Sequence, residues 1–84
     1  MAVGDITILR TIERKIDKEG LDPSRVDVLV MHGHVILTGH LVSRVTQRPL
    51  EGPMREHFKK NIQHIDGVTE VTLHISEPVG YANL

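Results

Sequence analysis

Apolar residues recur every third or fourth position between Ile6 and Ile16, then every second position from Val26 to Leu41. The first spacing is that of one helical face, the second that of one strand face. Ile6, Leu9, Ile12 and Ile16 form the helical stripe and Ile8 widens it. Arg10, Glu13, Arg14, Asp17 and Lys18 fall mostly on the solvated side. Asp5 is the expected cap, since its carboxylate can accept the free N–H groups of the first turn. Gly20 ends the element, with Leu21 placed for the hydrophobic contact that follows a left-handed cap.

Asp22-Pro23-Ser24 predicts a turn. In the strand that follows, Val26, Val28 and Val30 share one face, and Asp27, Leu29 and Met31 the other. A second strand sets Val35, Leu37 and Leu41 against His34, Ile36, Thr38 and His40. His32-Gly33 between them predicts a tight hairpin turn. Gly39 falls on the core face, where it permits a bulge or the approach of a helix backbone. Ser43 to Pro53 is the least regular stretch. A second helix begins at Pro53, with Met54, Phe58, Ile62 and Ile65 as its stripe, and stops at Asp66-Gly67. Val71, Leu73 and Ile75 alternate with Glu70, Thr72 and His74 as a third strand. Pro78 and Gly80 mark a flexible tail over 77–84.

The order αββαβ predicts an α+β fold, a two-layer sandwich with two helices on one face of a three-stranded mixed sheet. The second helix crosses over between strands two and three, so those strands should be parallel. The outer sheet face then lacks cover, and Leu29, Met31 and Ile36 form a candidate interface on it.

With 84 residues the chain suffices for one domain, and no apolar run approaches the roughly 18 residues of a membrane span. The absence of cysteine excludes disulfides, thiol catalysis and Cys-based zinc sites. The opening residues lack the pattern of a secretory signal, which makes a cytoplasmic location the expectation, or a periplasmic one for a trimmed chain. A formal charge of −1 and the lack of a Gly-x-x-Gly loop argue against nucleic acid as a partner. That charge is unevenly spread. Residues 44 to 64 hold Arg44, Arg48, Arg55, Lys59 and Lys60 against Glu51 and Glu56, whereas the chain from Asp66 onward has acids and no Lys or Arg. These five cations are the candidate contacts for anionic phospholipid headgroups.

The six histidines do not by their number make a metal site. His34 and His40 are six residues apart, roughly 20 Å along a strand, and cannot share an ion. No helical His or Glu pairing builds a closed site, so no metal or other cofactor is expected. No G-x-S-x-G elbow, G-x-G-x-x-G loop or Walker sequence is present either, and the expected protein is not an enzyme.

The hairpin positions Gly33, Val35, Leu37, Gly39 and Leu41 resemble the Gly-x-Val-x-Leu-x-Gly-x-Val pattern of the BON domain, named for bacterial osmotic-stress and nodulation proteins. Gly67-Val68-Thr69-Glu70-Val71 is similar to that family's Gly-Val-x-x-Val junction, and the likeness spans a single domain over residues 5–76. Arg48 to Pro53 looks like an insertion against the family's spacing. The resemblance implies an αββαβ fold and a non-enzymatic binding role, with phospholipid surfaces or an envelope component as the target. The alternative is protein–protein interaction or homo-oligomerisation through the open sheet face.

Overall fold

In the computed structural model, which describes residues 3–75, the elements follow in the expected α-β-β-α-β order. They are α1 (Val3–Lys18), β1 (Val26–Met31), β2 (His34–Gly39), α2 (Gly52–Gln63) and β3 (Glu70–Ile75), with a 3-10 turn at Pro23–Arg25. One sheet carries the strands in the order β1-β2-β3. β1 and β2 are antiparallel, and β2 and β3 are parallel, as the crossover through α2 requires. The α+β sandwich is therefore observed. Its core joins Ile12 and Ile16 of α1 and Phe58 and Ile62 of α2 to Val30, Val35, Leu37 and Val71 of the sheet. The predicted tail over 77–84 lies outside the described residues.

The roll of α1 differs from the expected one. Ile8, Ile12 and Ile16 are buried, whereas Ile6 is 39% exposed. Asp5 lies within the first turn of the helix, so it is not the residue that precedes it. Its position on the buried stripe, three before Ile8, turns Ile6 about 100° away from the core. Asp5 is itself only 5% exposed, the single buried polar or charged residue among those described. On α2 the contact with the core is made by Phe58 and Ile62. Met54, expected in that stripe, is exposed in the first turn.

The hairpin turn has the predicted two residues, both with positive φ, 50° at His32 and 83° at Gly33. That is the arrangement whose twist matches a β-hairpin. Gly33 is also hemmed in. A Cβ there would stand 2.5 Å from the Gly67 carbonyl oxygen, and the Thr69 N–H donates to the Gly33 carbonyl at 2.9 Å. Gly39, at φ 101°, is crowded by the backbone of Arg25 and Val26 rather than by a helix.

The irregular stretch after β2 is ordered by pairing. The Ser43 N–H donates to the Arg48 carbonyl at 2.9 Å, and the Leu50 N–H to the Leu41 carbonyl at 2.8 Å. The chain after α1 joins the same small array, with Asp22 N–H donating to the Val42 carbonyl at 2.9 Å and Arg44 N–H to the Gly20 carbonyl at 2.8 Å. Leu41 and Val42 are buried by it. Turn residues such as Pro49 carry weak local signals, and hydrogen bonds between distant segments supply the order.

Candidate functional site

The face of the sheet turned away from the helices is a grid of three rows, set by the strand register. Met31, His34 and Glu70 form the row nearest the hairpin turn. Leu29, Ile36 and Thr72 form the middle row, and Asp27, Thr38 and His74 the last. Alternation along each strand forces these residues outward once Val30, Val35 and Val71 point into the core. Leu29 is 48% and Met31 54% exposed, while Ile36, on the central strand, is half-buried. The three proposed interface residues are thus brought together, Leu29 directly beside Ile36 in the antiparallel register.

Polar groups frame that apolar centre. His34 Nε2 lies 2.8 Å from the Thr72 hydroxyl, and its Nδ1 lies 4.0 Å from a Glu70 carboxylate oxygen. The imidazole therefore links β2 to β3 at one edge of the patch through the Thr72 hydroxyl. Asp27 and His74 are exposed at the far row, on opposite outer strands. The result is an apolar strip of Met31, Leu29 and Ile36 with an acid at two diagonal corners and an imidazole at a third.

The five candidate lipid-contact cations are distributed differently. Arg44 donates to Asp17 at 2.7 Å and belongs to the junction with the end of α1. Arg48 is exposed on the return arm of the loop. On α2, Arg55 and Lys59 are half-buried and share one side at i, i+4, whereas Lys60 is exposed on the side opposite Phe58 and Ile62. A step of four residues keeps Lys59 in line with Arg55, and a step of five carries Lys60 around the helix.

Asp22 organises the loop that bears Arg44 and Arg48. Its carboxylate accepts from the Ser24 N–H at 3.0 Å, the Ser24 hydroxyl at 2.6 Å and the Gln47 amide at 2.8 Å. The Ser24 hydroxyl, then Gln47 and the Ser24 N–H, hold its pKa below the usual 3.8, with a smaller contribution from the Arg25 charge. The Gln47 side-chain oxygen in turn accepts from Arg25 Nε at 3.2 Å.

A groove of about 480 Å³ between the two helices was not foreseen from the sequence, and it is lined by Thr7, Thr11, Lys15, Asn61, His64 and Asp66 among others. Periodicity identifies which face of each helix is buried, and gives no information on the gap between their flanks. Among the described residues no group of three or more histidine, aspartate or glutamate side chains converges as metal ligands. Nor is any helix among them long and apolar enough to cross a membrane. No family model, no curated protein and no solved structure matches the chain.

Proposed function

We propose that the chain is a non-enzymatic interaction module that self-associates through the open face of its sheet. The observation that carries this reading is the contiguous strip of Met31, Leu29 and Ile36 on a sheet face that neither described helix covers. A second copy can meet the polar corners of the face through hydrogen bonds, since the Glu70 and Asp27 carboxylates accept and the His74 imidazole N–H donates. The hairpin and Gly-Val motifs that resemble BON modules support a binding role without catalysis. The face spans about 14 Å across three strands and about 20 Å along them. That is small beside a standard interface, so the association is weak and exchangeable.

Multi-angle light scattering and sedimentation at up to about 1 mM protein would test it, since a contact of only about −4 kcal/mol is populated there. The wild-type chain should sediment as a concentration-dependent dimer. Met31→Lys combined with Ile36→Lys should abolish the dimer while leaving the circular dichroism and amide spectrum of a folded monomer. A wild-type chain that stays monomeric overturns the proposal. So does salt-sensitive co-sedimentation of such a monomer with phosphatidylglycerol vesicles, which would shift the function to Arg48, Arg55 and Lys59.

A further inference from the structure

The sheet has an open edge as well as an open face. In the antiparallel ladder of β1 with β2, hydrogen-bonded and non-hydrogen-bonded pairs alternate. The two-residue turn makes Met31–His34 the closing bonded pair, and the His40 N–H, which donates to the Arg25 carbonyl at 2.8 Å, shows the same phase at the other end. Asp27 and Leu29 therefore aim their main-chain groups at β2. Val28 and Val30 aim theirs at the outer edge of β1, where no described strand lies. A row of such groups is a template for one more strand.

Beside that edge lies a groove of about 310 Å³ between α1 and β1, with Leu9, Ile16, Val26 and Val28 as its apolar lining. Its volume is at the lower end for a small-molecule pocket and suits side chains entering from a strand. Val28 is paired with Leu37, yet Leu37 on the central strand is fully buried and Val28 only half-buried. Leu9, across the groove, is half-buried too. The apolar layer is unfinished on this side. Charge selects what completes it: exposed Glu13 and Asp27 line the groove, and no Lys or Arg does. We propose that the edge of β1 binds an extended peptide segment of another protein, with alternating apolar and basic residues, by antiparallel strand addition. The apolar side chain opposite Val28 enters the groove, and the basic ones, on the other face of the added strand, meet Asp27. A second β1 would bring a further acid and no cation, which disfavours a copy of this chain as the occupant. The site uses the edge of the sheet and does not depend on the self-association proposed above.

Titration of the isotope-labelled chain with an end-blocked hexapeptide of alternating lysine and valine tests this by NMR. The amide signals of Val28 and Val30 should shift, and their hydrogen exchange should slow about tenfold or more at saturation. Glutamate in place of the peptide's lysines should weaken binding about three- to tenfold, as should Asp27→Lys in the chain. Asp27→Lys should then prefer the glutamate peptide. Methylation of the peptide's main-chain nitrogens should abolish the exchange protection, because it removes the donors of the new ladder. Ile36→Lys, on the central strand, should bind the peptide as the wild-type chain does, which separates this edge from the self-associating face. Undiminished binding of the methylated peptide overturns the proposal, as do shifts that leave Val28 and Val30 unmoved. So does protection of those two amides that rises with protein concentration in the absence of peptide, which would place a second copy at the edge.

Discussion

The carboxylate of Asp5 in α1 holds the hairpin turn at Gly33, twenty-eight residues away, with one oxygen 3.0 Å from the Gly33 N–H and the other 3.0 Å from the His32 N–H. A two-residue turn with positive φ directs both amides outward, where no strand partner can take them. The first turn of α1 crosses that point and supplies the acceptor. A buried carboxylate is expensive unless its oxygens receive hydrogen bonds, and charge-assisted bonds of this kind are among the stronger ones. Helix, turn and α2–β3 loop are thereby fastened at one end of the molecule.

Replacement of Asp5 by Ala should therefore destabilise the fold by about 2–4 kcal/mol, since it removes two charge-assisted bonds and leaves the Gly33 N–H buried without its acceptor. Urea denaturation should show a lower midpoint with an unchanged slope. Asp5→Asn, which retains one oxygen acceptor, should lose less. A midpoint unaltered in Asp5→Ala would mean that water replaces the carboxylate without penalty.

Glycine substitutions should separate conformational cost from crowding. Gly33→Ala combines a φ of 83° with a Cβ 2.5 Å from the Gly67 carbonyl, and its loss should exceed the about 1–2 kcal/mol of the left-handed backbone alone. Gly20→Ala has a similar φ of 74° with nothing within 4 Å, and should show the backbone cost only. Gly4→Ala, in open space within α1, should stabilise by about 0.5–1 kcal/mol. Thermal melts of the three variants in one buffer give the comparison.

Asp22 predicts an acid-labile loop. Its folded-state pKa lies below its ordinary 3.8, so its contribution is complete above that value. It is lost as pH falls below 3.8 and through the lower folded-state pKa, because protonation removes acceptor capacity from Ser24 and Gln47. Amide exchange of residues 43–48, followed from pH 6 to pH 2.5 and corrected for intrinsic rates, should show protection falling only at the acidic end. Asp22→Asn should flatten that dependence. Equal pH sensitivity in the variant would assign the effect to another group.

The Arg44–Asp17 pair is short at 2.7 Å, yet both side chains are more than half exposed. Arg44→Ala should therefore change stability by less than about 1 kcal/mol, with the difference shrinking further in high salt. Leu41→Ala, in the buried root of the same loop, should cost about 2–5 kcal/mol. Paired denaturation curves at low and high salt would check both. A larger effect from Arg44 than from Leu41 would show that the loop is held by charge rather than by apolar contact.

How much of this was legible beforehand follows from the range of each interaction. The two-residue hairpin turn at His32-Gly33 is readable, because turn geometry is set by residues adjacent in the chain, whereas α2, expected to run to Asp66-Gly67, ends at Gln63 with His64 as its cap. Leu29, Met31 and Ile36 could be assigned to the outer face from alternation alone. Asp5 falls in line with Ile8 and Ile12, a position a solvated cap does not need, and that alignment is the sequence signal of its burial. The groove beside Lys15 and Asn61 depends on how the two helices lie against each other on the sheet.

By itself the sequence determined the order of the elements, the parallel relation of β2 and β3, and most of the core apart from Ile6 and Met54, since period and turn chemistry act over a few residues. Tertiary structure decided the roll that exposes Ile6 and buries Ile8, the pairing of Leu21 with Ser43, and the register that sets His34 beside Glu70 and Ile36 beside Thr72. These depend on register between segments far apart in the chain. A shift of one residue in a strand would send every side chain to the opposite face, and only the simultaneous packing of both helices on that sheet excludes it.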